Sequence, residues 1–166
     1  MKRILLINLL VIFAIILTLE FGARVIHLAD IKGADNIYIK GLKNGYLHIR
    51  PNIEGKVFGK KIYTDSNGFR IPNINFKYKK NISSILFVGD STLFGNGVDE
   101  KKTFLGLIRS ELKKTNIYNA SAPGHNINAN YSKIKNHKKI DNIDKIILVY
   151  TLNDIFDVEK EESFYE

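Results

Sequence analysis

The chain has 166 residues and a mass of 18.9 kDa, with 45% hydrophobic and 25% charged residues, which excludes disordered, collagen-like and low-complexity classes. It has no cysteine, which excludes a disulfide scaffold, thiolate zinc sites, iron–sulfur clusters and a cysteine nucleophile. The net charge of +8 invites an anionic partner, but 20 of the 25 cations are Lys and the five arginines are scattered, so no Arg-rich run exists to read phosphates.

The first 28 residues, MKRILLINLLVIFAIILTLEFGARVIHL, open with a short basic flank. Ile4 to Leu19 is a run of 16 residues interrupted only by Asn8 and Thr18. Phe21 to Leu28 extends it if Glu20 and Arg24 sit at an interface, which gives enough length to span a bilayer. A cleaved signal peptide is the rival reading, but no small-x-small cleavage site follows the run. Residues 1–28 are therefore predicted to be an uncleaved anchor, single-pass in the cytoplasmic membrane. Lys2 and Arg3 stay inside, which puts the bulk of the chain in the extracytoplasmic, periplasmic space.

Residues 29–80 read as an irregular region rich in Gly and Lys before the main domain. Short extended pieces are predicted at Ile37–Ile39, Tyr46–Ile49 and Lys61–Thr64. Asp65-Ser66-Asn67-Gly68 has turn chemistry, with Asn-Gly the clearest hairpin signal. Lys77-Tyr78-Lys79-Lys80-Asn81 reads as a solvated linker.

From residue 81 the pattern sharpens. Ile82–Val88 is an apolar run ending at Gly-Asp-Ser, as a buried strand would. Phe104, Leu105, Leu107, Ile108 and Leu112 recur at helical spacing, with Thr103 placed to start the helix. Asn116–Ser121 is a short strand followed by an Ala122-Pro123-Gly124 turn. Asn126–Lys139 is a weaker helix, and Lys145–Thr151 a second buried strand ending at Leu-Asn-Asp. Strands alternating with helices predict a parallel sheet with right-handed crossovers. In such a sheet, functional groups gather at the carboxyl ends of the strands. Gly89-Asp90-Ser91, Gly124 and Asn153-Asp154 all fall there.

Taken singly, each cluster is ordinary: a strand-to-helix turn, a turn glycine, a strand-end cap. Their order and spacing resemble the SGNH (GDSL-type) hydrolase family, over about residues 82–156. Ile85–Gly97 (ILFVGDSTLFGNG) resembles the family's first block, Asn119–Asn126 (NASAPGHN) the second and Thr151–Asp154 (TLND) the third. Thr151 departs from the third block, which usually begins with Gly. Tyr63–Arg70 (YTDSNGFR) is similar to the segment ahead of the domain in membrane-anchored bacterial members.

The resemblance implies a three-layer α/β/α, flavodoxin-like fold and a serine ester hydrolase or acyl transferase. It implies Ser91 as nucleophile and Gly124 and Asn153 as oxyanion-hole donors, with the backbone N–H of Ser91. Asp90 and Asp154 would hold the loops. No metal or organic cofactor is implied, and the substrate would be an acyl ester, either a carbohydrate O-acyl group or a lipid ester. A P-loop is disfavoured because the Gly-Lys-Ser/Thr ending is absent, and no nucleic-acid partner is expected.

A serine hydroxyl also needs a general base. The family's base is a histidine three residues after an aspartate, and that Asp-x-x-His block does not occur in this sequence. The four histidines are His27, His48, His125 and His137. Only His125, beside Gly124, is placed to line the cleft mouth. The sheet also has three strands where the family has more, and the outer edge of Lys145–Thr151 would be unpaired, an aggregation liability. Residues 81–166 are therefore expected to be a partial domain, truncated after its third strand, with little activity alone. The alternatives are an inactive anchored remnant acting as a binding module, and a basic membrane-surface or nucleic-acid binder.

Overall fold

The computed structural model describes residues 2–30, 37–40, 47–136 and 143–152. The chain forms two compact units, Met1–Gly33 and Ala34–Glu166.

The first unit is one helix, α1 (Lys2–Asp30). Within it Arg3–Val25 has a mean hydropathy of 2.7 and none of it is buried. Its 23 residues at about 1.5 Å each give about 35 Å, which exceeds a hydrocarbon core of about 30 Å. The helix is thus long and apolar enough to cross a membrane. Arg24 Nε donates to Glu20 Oε1 at 2.8 Å, one turn back, which partly neutralises the two charges that interrupt the apolar surface.

In the second unit β1 (Tyr38–Lys40) and β2 (Leu47–Ile49) form a small antiparallel sheet. A separate six-stranded sheet holds β3 (Glu54–Val57), β4 (Lys60–Thr64), β5 (Arg70–Ile71), β6 (Ser83–Val88), β7 (Thr115–Asn119) and β8 (Lys145–Leu148). Its order is β3-β4-β5-β7-β6-β8. The β7-β6-β8 part is parallel and the β3-β4-β5-β7 part antiparallel. The expectation of a parallel sheet therefore describes only one side of a mixed α/β sheet. The correction has a local cause. Phe58 and Gly59, at φ of 46° and 75°, make a two-residue turn that closes β3 on β4. The Asp65 carboxylate then accepts from the Asn67 and Phe69 N–H groups at 2.8 and 2.9 Å, turning β4 into β5. Gly68 has φ of 75°, and a Cβ there would overlap the Ile49 carbonyl, so β2 closes over this turn only because the residue is Gly. β5 adds to β7 with Arg70 opposite Asn119.

The helices are α2 (Ser91–Phe94), α3 (Phe104–Glu111) and α4 (Ile127–Asn136). Thr103 caps α3, accepting from Gly106 N at 3.0 Å. Alternation along β6 separates two faces. Leu86 and Val88 pack with Phe69, Tyr118 and Ile134 of α4. Phe87 packs on the other side with Leu93, Leu105, Ile117 and Ile108 of α3. The sheet thus carries a helix on each face. A third cluster joins Ile37, Ile49, Val57 and Ile62 to Phe94 and Ala122, so the first strands pack against the loops that follow β6 and β7.

β8 is the last strand of the sheet, and all four of its residues are exposed. The expected Lys145–Thr151 strand is shorter, and its apolar side chains Ile146 and Leu148 remain 50% and 40% exposed.

Candidate active site

β6 runs straight into Gly89-Asp90-Ser91. Ala122 N donates to the Gly89 carbonyl at 3.1 Å, and Val149 N donates to the Val88 carbonyl at 2.9 Å. The ends of all three parallel strands therefore meet around these residues. Asp90 is buried and engages both sides at once. Its Oδ1 accepts from Thr92 N at 2.9 Å, capping α2, and its Oδ2 accepts from Thr151 Oγ1 at 2.8 Å. Asp90→Ala removes a cap and a cross-strand tie, so stability is expected to fall by about 1–2 kcal/mol. Asp90→Asn, which keeps an acceptor, should lose less. The urea midpoints of the two variants check this ordering.

Ser91 is the first residue of α2 and is half-buried. Its carbonyl accepts from the N–H groups of Gly95 and Asn96 at 3.0 and 3.3 Å. Gly95, at φ of 80°, ends the helix. Arg70, 1% exposed, holds this turn from below. Nη1 donates to the Phe94 and Gly95 carbonyls at 2.6 and 2.8 Å, and Nη2 to the Val98 carbonyl at 2.6 Å. Burial, aided by the Arg109 charge, lowers its pKa to about 10, so it stays cationic at neutral pH. Arg70 was legible only as the last residue of the YTDSNGFR segment. Nothing in that segment announces that it clamps the turn after Ser91.

Gly124 is exposed at φ of 75°, with nothing within 4 Å of a Cβ built there. Its conformation, not crowding, calls for glycine. Asn126 caps α4 by accepting from Ala129 N at 3.0 Å. Asn153 and Asp154 lie outside the described residues, as does His137, and the His27 side chain is likewise not described. His125 is 2% exposed, so it is buried behind the loop rather than placed at a cleft mouth. Its ring meets His48 of β2 edge to face, 5.8 Å between centroids. The pairing was invisible in the sequence, where His48 stands alone in a segment of weak periodicity. Burial, then the Lys133 charge, lowers the His48 pKa, which keeps that ring neutral at pH 7.

Behind the α4 face lies a buried polar cluster. Lys133 is 3% exposed with its ammonium 5.7 Å from the Phe69 ring centroid. Burial pulls its pKa down to about 8 against the opposing pull of Asp65. Burial raises the pKa of the Asp65 carboxyl. Among the described residues no group of three His, Asp or Glu side chains could hold a metal ion.

What the geometry offers is a serine at the head of a short helix, at the carboxyl end of a central parallel strand. No protein-family model matches the chain, and no curated protein matches it.

Proposed function

We propose that the chain is a membrane-anchored, extracytoplasmic serine ester hydrolase or acyl transferase of the SGNH type. The observation that carries the reading is the convergence of three strand ends on one point. Gly89-Asp90-Ser91, the loop that leads to Gly124, and Thr151 are joined there by the Ala122–Gly89 and Thr151–Asp90 hydrogen bonds. The parallel strands follow the order second, first, third, which is how a flavodoxin-like sheet begins, and such sheets bind ligands outside the carboxyl ends.

In this reading the Ser91 hydroxyl gives its proton to a base and attacks an acyl-ester carbonyl, the ester C–O bond breaks as the alcohol leaves with that proton, and water or an acceptor alcohol then takes the acyl group from Ser91. The resemblance assigns the backbone N–H groups of Ser91 and Gly124, with the Asn153 amide, to the oxyanion as charge develops on it. Loss of one such donor costs roughly 10²–10³-fold. The Asp90 cap fixes the helix start that presents Ser91. The base is the open position. The sequence has no Asp-x-x-His, so within these residues His125 is the base to test, and hydrolysis by this chain alone should be slow. An anchored, non-catalytic remnant is the second reading, favoured by the burial of His125. The apolar α1, with Lys2 and Arg3 in its first turn, supports an inner-membrane anchor with the bulk of the chain outside.

Short-chain nitrophenyl esters separate the readings. On the hydrolase reading the full chain turns them over, and Ser91→Ala lowers the rate by at least about 10²-fold. Hydrolysis that persists unchanged in Ser91→Ala would sink the nucleophile assignment, and no hydrolysis by the wild-type chain would favour the remnant.

A further inference from the structure

At the other end of the sheet, where β6 and β7 begin, lies a cavity of about 240 Å³ that the ester chemistry does not use. Lys77, Lys79, Arg109 and Lys113 line it, and no carboxylate does. Glu111, next in sequence to the lining Leu112, is exposed. Glu100 pairs with Arg109 Nη1, and Asp144 accepts from the Ser83 hydroxyl and the Ser84 N–H at 2.8 and 2.7 Å.

The wall is held in place. Asn116 clamps the backbone of residue 79, accepting from Lys79 N at 2.9 Å and donating to the Lys79 carbonyl at 2.8 Å. Lys79 Nζ donates to the Lys113 carbonyl at 2.9 Å, tying the segment to the end of α3. Arg109 Nη2 donates to the Ile117 carbonyl at 3.0 Å, and its guanidinium lies 5.4 Å from the Phe76 ring centroid. Its buried Nε has no hydrogen-bond partner among the described residues. The rest of the lining is Phe76, Leu112 and Ile117, with Thr115 and Asn116.

The charge count selects the ligand. Arg109 is paired with Glu100, which leaves three exposed lysines in the lining against the exposed carboxylate of Glu111. A monovalent carboxylate would balance one of them; a dianion balances two. The apolar bed excludes a bare, fully hydrated anion as the best fit, because covering it requires an organic group. We propose that this cavity binds a phosphate monoester carried on a compact apolar body, with Lys77, Lys79 and Lys113 around the phosphoryl oxygens. The site is independent of whether Ser91 is a nucleophile. Its natural occupant is a soluble organic phosphate or the phosphate monoester headgroup of a lipid such as phosphatidate.

Phenyl phosphate titrated into the full chain in zwitterionic lipid nanodiscs, followed by ³¹P NMR, tests the site. Saturable binding is expected, about tenfold or more tighter than inorganic phosphate or benzoate. The double variant Lys77→Glu/Lys113→Glu should weaken it by at least about tenfold, whereas Lys56→Glu, an exposed charge on β3, should not. Nanodiscs containing phosphatidate identify the source. Weaker apparent binding of phenyl phosphate there, in wild type only, assigns the site to the lipid headgroup; unchanged binding assigns it to a soluble ester. Absence of saturable binding, or equal losses in the double variant and Lys56→Glu, would overturn the proposal.

Discussion

Arg70→Met is expected to lower the stability of the second unit by about 3–5 kcal/mol, the largest loss of any single change near Ser91. Arg70 is buried and its guanidinium supplies donors to the carbonyls of Phe94, Gly95 and Val98. Met fills similar volume but donates nothing, so the two buried acceptors, Phe94 and Gly95, lose their partner at a cost of about 1–3 kcal/mol each, and the part-buried Val98 carbonyl loses a third bond. The Phe94 ring also loses the cation 5.2 Å from its centroid. Lys in the same place restores the charge but not the fork, and it should recover only part of the loss. Urea unfolding measures all three proteins. A loss below about 1 kcal/mol for Arg70→Met would mean that water replaces the guanidinium freely.

The opposite sign is expected at Lys133. Its folded-state pKa lies near 8 because burial disfavours the charged amine, whereas the unfolded chain holds that proton to about pH 10.4. Below pH 8 the amine is protonated in both states, and the folded protein carries the full penalty of burying it. As pH rises through 8 towards 10.4 the unfolded chain binds more protons than the folded one, so stability rises with pH across that window. The gap corresponds to about 3 kcal/mol. Lys133→Met should therefore stabilise the protein by about 2–3 kcal/mol at pH 7, the pull of Asp65 being already contained in the folded-state pKa, less what the Phe69 ring returns to the amine. It should also flatten the rise between pH 8 and 10.4. The urea midpoint measured across that range for both proteins decides it. A variant less stable than wild type at pH 7 would show that the attraction of Asp65 and the Phe69 ring outweighs the burial cost.

Elements with a strong period are readable in the sequence. The apolar run of α1, the 83–88 strand, the Thr103-capped helix and the Asp65–Gly68 turn each rest on local chemistry, and local chemistry is what a sequence displays. The partnership of β3, β4 and β5 with β7 was not readable. These strands have two to five residues, and Lys56, Lys60 and Lys61 interrupt them with solvated side chains. Their register is set by a tight turn and by the approach of Ile49 to Gly68, neither of which has a period. The same limit applies at the site. Gly89-Asp90-Ser91 and Gly124 were visible as strand-end clusters, but Arg70 binds backbone carbonyls, which every residue has. Lys133 was hidden differently: in a Lys-rich helix it reads as one more solvated charge, and only the fold turns it inward.

The Asp90–Thr151 bond spans 61 residues, and that separation fixes when the Ser91 turn can be completed. β6 pairs with β7 across about thirty residues but with β8 across about sixty. Closing the longer loop costs more entropy before any contact repays it, so the β8 pairing belongs to a late stage of folding. On the ribosome the order is stricter, since Thr151 is made sixty-one codons after Asp90. Until it emerges, the Asp90 carboxylate caps its helix with one oxygen and leaves the other to water. The serine is therefore synthesised early and framed late, and a nascent chain carries the complete Gly-Asp-Ser sequence long before it carries the geometry around it.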